Sequence, residues 1–337
     1  LLIVSGRKDG DFPPDGYREV ARVAKRVYDL KGPLDRLREL DEDVGHTYTP
    51  HSRKSVLEWM NRWLKGDVKQ IELLKGPDPG REPPGALACL SEVPDDAINE
   101  VIHDRFVRLA AIQEAGSLED WKARRANVMA ALKKRTFGAF PKGEIPFETQ
   151  VGRANGAWAA KYSKFKEVFF QSEPGLQLKA TLFRVGEDKP GMPLLLYVKR
   201  YGDSIYPLDF DELLPLLGRV DILVLNPRLT EHPVTPSEYA EIERTASWVG
   251  RTIGSMQVWD VLRALEWSLR EEKLVPSSIS VFGKGEMGIL ALYAAILDER
   301  VGEVILQDPP ASHRHGPALL NVLRITDIPE AAALLSP

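Results

Sequence analysis

The spacing of apolar residues changes character along the chain. Leu1–Ser5 is a short apolar run of strand type, and the Gly- and Pro-rich stretch from Gly6 to Asp15 ends it. Tyr17–Leu30 carries Val20, Val23, Ala24 and Val27 at helical spacing, which predicts a helix with that face turned to a core. Leu34–Leu40 reads as a second short strand. Ser52–Lys65 is an amphipathic helix with Val56, Leu57, Trp59, Met60, Trp63 and Leu64, and Gly66 suits its C-terminal cap. Prolines and glycines between 67 and 94 mark a linker. Residues 95–134 predict a helical hairpin, with Ile98, Ile102 and Phe106 on one arm and Trp121, Val128 and Leu132 on the other.

Beyond Glu167 strands and helices alternate. Val168–Ser172 and Leu176–Phe183 flank Glu173-Pro174-Gly175, a hairpin signal. Leu194–Val198, Asp221–Leu225, Ser278–Phe282 and Val301–Leu306 are near-continuous apolar runs of strand length. Helical stretches at Phe210–Leu217, Ser255–Leu269 and Met287–Leu297 separate them. Unbroken apolar strands alternating with helices predict an α/β fold whose mostly parallel sheet has helices on both faces. The expected organisation is a first segment at 1–66, a linker at 67–94, a lead-in at 95–166 and a sheet-forming core at 167–337.

Composition narrows the function. With 45 basic and 49 acidic residues the net charge is −4, so no basic surplus points to nucleic acid. No run of about 18 apolar residues predicts a membrane span. The single cysteine, Cys89, excludes a disulfide framework and a cysteine-based zinc site within these residues. Leu1–Ser5 has no charged leader and reads as a strand rather than a signal peptide; the chain reads as a piece of something longer.

Candidate chemistry sits in three loops. Gly283-Lys284-Gly285-Glu286-Met287-Gly288 runs from a strand into a helix. Literally it is G-x-G-x-x-G, the pattern that lets a pyrophosphate approach a helix N-terminus, and Asp308 lies 25 residues after Gly283, where a ribose-binding acid is sought. The same strand–turn–helix is what a nucleophile elbow needs, and on that pattern Gly285 stands where the hydroxyl should be. Elsewhere Asp9 follows the first strand and Gly45-His46 the next, in the order of an acid and a base that would serve a nucleophile. His51, His103 and His232 read as surface or helix-face residues. His313-Arg314-His315 looks like a metal pair, but no second cluster accompanies it, so neither metal nor cofactor is expected.

These residues resemble acetylxylan-esterase-like α/β-hydrolases. Leu2–Asp9 with Phe12-Pro13, and Asp43–His46 with Trp59–Leu64, are similar to the C-terminal end of such a domain. Phe137–Pro141, Met256–Leu265 and Gln307–His313 are similar to its earlier part, so the segments stand in circularly permuted order. The resemblance implies a tandem, with a first domain ending in residues 1–66 and a second, degenerate one following. It implies hydrolysis of acetyl esters on polysaccharide by Ser-His-Asp acyl transfer, with Asp9 orienting and His46 as general base. It also suggests secretion or a periplasmic location. Three departures oppose catalysis by the second copy: Gly285 at the nucleophile, Lys199-Arg200-Tyr201-Gly202 in place of a His-Gly oxyanion loop, and Asn226-Pro227-Arg228-Leu229 in place of a Gly-rich loop. The expectation is a chain inactive by itself. The alternatives are a non-catalytic binding or scaffold domain with a sugar cleft at Trp248, Trp259 or Tyr201, and a dinucleotide-binding enzyme using Gly283, Gly285 and Gly288. In the hydrolase reading, residues 1–66 are expected to pair beside Val301–Leu306.

Overall fold

The computed structural model describes all residues except 74–81, 112–114, 153–163, 185–190, 204–212 and 336–337. The chain divides into two compact units, Leu1–Asp95 and Asp96–Pro337. Parts of the expected linker, of the lead-in and of the helix at 210–217 lie outside the described residues.

In the first unit a βαβ arrangement forms as the apolar pattern requires. Strand β1 (Leu2–Gly6) leads through helix α1 (Pro14–Lys31) to β2 (Arg38–Glu42), which pairs with β1 in parallel from Leu2↔Arg38 to Gly6↔Glu42. The second strand starts later than Leu34 because Pro33 opens a turn that the Leu37 amide closes on the Leu34 carbonyl. On α1 the inward face is Tyr17, Ala21, Ala24 and Tyr28. Val20, Val23 and Val27, expected to face a core, are 60%, 47% and 47% exposed. A two-stranded sheet offers one helix too little surface to cover both of its apolar stripes. Helix α2 (Pro50–Met60) starts at Thr49, whose side chain accepts the Ser52 amide.

In the second unit helices α3 (Ile102–Phe106) and α4 (Leu118–Ala131) precede a seven-stranded sheet. The first arm of the expected helical hairpin is thus a single turn. The strands are β3 (Gln150–Val151), β4 (Lys164–Glu173), β5 (Leu176–Arg184), β6 (Leu194–Val198), β7 (Asp221–Asn226), β8 (Ile279–Lys284) and β9 (Glu303–Gln307). Their order is β3-β4-β5-β7-β6-β8-β9. The β6, β7, β8 and β9 ladders are parallel, whereas β3, β4 and β5 form an antiparallel arm that joins β7. The sheet is therefore mixed rather than mostly parallel, because the tight turn at Pro174-Gly175, with Gly175 at φ 79°, leaves β5 no choice of direction. Every residue of β6 and β7 is buried, as their unbroken apolar runs predict. One face of the sheet packs on α6 (Ile253–Arg270) and α7 (Glu286–Leu297); Phe183, Tyr197, Val224 and Phe282 form a smaller cluster on the other face. Helix α5 (Pro236–Trp248) precedes α6, and the short α8 (Ile328–Ala333) packs on α7.

One expectation fails here. Among the described residues β1 and β2 pair with each other in a sheet of their own, and β9 pairs with β8 alone. The β1 backbone has already satisfied one edge within its own βαβ unit, and no ladder joins Leu1–Ser5 to Val301–Leu306.

The carboxyl edge of the mixed sheet is tied by a buried ionic network. Asp260 of α6, fully buried, receives both Nε and Nη2 of Arg228 at 2.9 and 2.6 Å, the Arg228 amide at 2.9 Å and the Ser172 hydroxyl at 2.8 Å. Glu173 at the end of β4 bridges Arg228 and Arg251 at 2.7 Å each. The loop after β7, where Leu229 takes φ 63°, is thereby fixed to α6 and to β4. Removing one partner of a buried pair strands the other charge, at a cost of about 3–5 kcal/mol. Arg228→Met is expected to lose stability on that scale in urea unfolding. Desolvation pushes the Glu173 carboxyl up, but the two guanidiniums outweigh it and hold the pKa at about 2. A depressed carboxylate stabilises the fold fully above its ordinary value of 4.5 and loses that contribution as pH falls towards about 2. Glu173→Gln should flatten the acid limb of stability within that window and leave the slope near neutral pH unchanged.

Candidate functional site

In the first unit the loops after β1 and β2 meet because Gly6 has no side chain. A Cβ there would lie 2.4 Å from the Val44 carbonyl oxygen and 2.7 Å from that of Gly45. The crossing is sealed by the Arg7 amide on the Glu42 carbonyl at 2.8 Å and the Lys8 amide on the Val44 carbonyl at 3.0 Å. It brings Asp9 and His46 together, with Nδ1 of His46 3.0 Å from Oδ2 of Asp9. The other Asp9 oxygen accepts the amides of Asp11 and Phe12 at 3.0 and 3.4 Å. Desolvation works to raise the Asp9 pKa, but the Asp11 amide, the His46 ring and the Phe12 amide hold it below the ordinary aspartate value. A carboxylate at Nδ1 makes that nitrogen the proton donor and leaves Nε2 with its lone pair, the arrangement of a positioned general base. Phe12 stacks on the imidazole at 5.9 Å between centroids, and the His46 side chain is 66% exposed. Asp9, Asp11 and His46 also form a cluster of close ligand-type atoms. Its Nδ1 is already engaged by Asp9, which favours the hydrogen-bonded pair over a coordinated ion.

Three other histidines contact neighbouring residues. His51 Nδ1 lies 3.2 Å from Glu42, and His103 lies 3.8 Å from Asp104. His313 is buried, donating from Nδ1 to the Pro317 carbonyl at 2.9 Å and accepting the Tyr293 hydroxyl at Nε2 at 2.8 Å. With both ring nitrogens used, and with burial lowering its pKa, it is a neutral core residue rather than half of a metal pair.

In the second unit the turn between β8 and α7 has the form of a nucleophile elbow. Gly285 adopts φ 56°, ψ −129° at the helix start, and its amide donates to the Gln307 carbonyl at 2.8 Å. A Cβ on Gly283 would lie 2.6 Å from the Gly288 amide nitrogen, and one on Gly288 would lie 2.9 Å from the Gly283 oxygen. A Cβ on Gly285 would meet nothing within 4 Å. The flanking glycines are required by backbone contact, whereas Gly285 faces open space where a catalytic side chain would stand. A pyrophosphate would meet Glu286 here; its carboxylate lies against Gly316, where a Cβ would be 2.3 Å from Oε1.

The aromatics singled out for a sugar cleft do not converge on one cavity. Trp248 is 79% exposed, Tyr201 is exposed, and Trp259 donates to the Ser172 carbonyl at 3.1 Å while packing on Phe140. A cavity of about 770 Å³ is lined instead by Tyr239, Glu243, Arg244, His313, Leu319 and Leu323. Glu243 there accepts the Ile253 amide at 2.7 Å, and burial raises its pKa. Sequence periodicity gave no sign of this cavity, because its walls come from segments far apart in the chain.

No family model and no curated protein matches this sequence. Among solved structures the chain is similar to a candidate acetyl xylan esterase from Bacteroides fragilis, with a TM-score of 0.53 and 12% identity over 74% of this chain and 75% of that one. The chain has the α/β-hydrolase fold. A glucuronoyl esterase from Solibacter usitatus gives a TM-score of 0.46 at 12% identity, covering 68% of this chain and 76% of that one. An acetyl xylan esterase from Paenibacillus sp. R4 gives 0.38 at 21% identity, covering 60% and 63%. The α/β-hydrolase fold implied by the sequence resemblance thus stands on the structure as well.

The hydrolase elbow makes a graded prediction. Gly285→Ser adds a side chain into open space and costs only the strain of its φ, about 1–3 kcal/mol. Gly283→Ala and Gly288→Ala force backbone atoms apart and should cost more, with urea midpoints falling in the order Gly285→Ser, Gly288→Ala, Gly283→Ala.

Proposed function

We propose that the first unit is the acid–base end of an esterase-type hydrolase domain and that the second unit is a hydrolase-fold domain without a nucleophile of its own. The observation that carries this is the pairing of His46 with Asp9 at 3.0 Å, set beside an elbow whose central residue is Gly285. In this reading Asp9 holds the His46 ring and stabilises its protonated form. Nε2 of His46 takes the proton from a serine hydroxyl outside the first unit, the serine oxygen attacks the ester carbonyl, and the ester C–O bond breaks to release the alcohol, which receives the proton back from His46. The covalent acyl-serine is then released by a water that His46 activates in the same way. Acetyl esters on polysaccharide are the proposed substrates, a class that rests on the sequence resemblance and on the name of the Bacteroides fragilis protein. The second unit would keep the fold as a binding or scaffold domain. Dinucleotide binding at Gly283, Gly285 and Gly288 is less well supported, because Glu286 puts a like charge in the first turn of the helix that would receive the phosphates.

Residues 1–337 are therefore expected not to hydrolyse an activated acetyl ester by a triad. Loss of the nucleophile from a working triad costs on the order of a million-fold in turnover. Gly285→Ser alone should restore little, because nucleophile, base and oxyanion donors must agree to within about 0.5 Å. The check is the hydrolysis rate of the purified chain beside that of His46→Ala. Equal background rates support the proposal, and a rate that His46→Ala abolishes contradicts it.

A further inference from the structure

The second unit holds a buried cation, Lys199, that makes no ion pair with a described residue. Lys199 follows β6 directly and continues its ladder, its amide donating to the Leu225 carbonyl at 3.0 Å. The residue is 7% exposed. Among the described residues its ammonium makes no hydrogen bond and no ion pair, whereas the nearby Lys179 is held by Glu167 at 2.7 Å. An ammonium removed from water without an acceptor is costly, and burial lowers its pKa against the pull of Asp203 and Glu231.

The register shows what surrounds it. Val198 pairs with Leu225 on one side and Gly283 on the other, which sets Lys199 level with Asn226 and Lys284. Tyr197 stacks on Phe282 at 5.0 Å, and Lys284 Nζ lies 5.9 Å above the same Phe282 ring. Alternation along the strand places Lys199 on that face too. Asn226 and Gln307, at the ends of β7 and β9, each bury a side-chain carbonyl oxygen that receives no hydrogen bond. A half-turn of either amide would present an NH₂ group instead.

The location is also the one where α/β sheets take ligands. From β6 the chain moves to β7 on one side, and β8 then adds on the other, so the strand order reverses between β6 and β8. Lys199 follows the carboxyl end of β6 on one side of that switch point, and Gly285, whose Cβ would meet nothing within 4 Å, follows that of β8 on the other. We infer that the crevice between the carboxyl ends of β6 and β8 binds a small monoanionic carboxylate, with the Lys199 ammonium as its counter-ion and the Asn226 amide beside it. A single negative charge is favoured over two, because Asp203 and Glu231 act on Lys199 and Glu286 follows Gly285.

Acetate and inorganic phosphate, compared with chloride at equal ionic strength, test this on the intact chain. Acetate is expected to raise the melting temperature above its chloride value by about 2 °C or more, and phosphate by less. Broadening of the acetate methyl resonance reports binding directly, without relying on stability. Lys199→Met should abolish both effects, Lys199→Arg should retain them, and the surface variant Lys142→Met should match wild type. If Lys199 only completes the hydrogen bonding of Asn226, acetate does no more than chloride and the inference fails. It fails equally if phosphate matches acetate, or if folded Lys199→Met still broadens the acetate line. None of these outcomes depends on His46, so they leave the reading of the first unit untouched.

Discussion

Strand β8 and helix α7 approach so closely at Gly283 and Gly288 that neither position can carry a side chain. That contact dictates the turn between them: the chain must reverse within a few residues, and Gly285 is driven to φ 56° with its Cβ direction facing open space. In a hydrolase this geometry thrusts a nucleophile out of the sheet. Here the geometry persists without the nucleophile, and the burial of β6, β7 and α7 around it shows that the turn serves the core. The Arg228–Asp260–Glu173 network fixes the next loop along the same edge. The turn and the loop beside it are therefore held by packing and buried charge.

The first unit is complementary in its chemistry. Its crossing at Gly6 creates a carboxylate–imidazole pair, and the hydrogen bonds from Asp11 and Phe12 fix the carboxylate that in turn fixes the ring.

Much of this was legible from residue types alone. The unbroken apolar runs of β6 and β7 announced a buried sheet, the glycines of 283–288 announced the elbow, and Asp9 and His46 were recognisable from their places after two strands. The hairpin of the antiparallel arm was legible too, at Glu173-Pro174-Gly175, but that signal does not say which neighbour β5 will join. Valine spacing on α1 marked an apolar face without saying whether anything covers it. Lys199 stood out as part of a departure from a His-Gly oxyanion loop, but its burial appears only in the fold, because periodicity does not say what covers a residue just past a strand end. Arg228 stood out as a departure from a Gly-rich loop, but its role as the anchor of Asp260 appears only when β4, β7 and α6 converge.

The central claim is that residues 1–337 hold an acid–base pair and an elbow but no activated serine. Mass spectrometry of the intact chain after treatment with a serine-directed fluorophosphonate tests it most directly, since such a reagent labels a hydroxyl only where a base and an oxyanion site activate it. The account predicts unlabelled protein, with His46→Ala indistinguishable from wild type. Stoichiometric labelling of one serine, lost in His46→Ala, would contradict it.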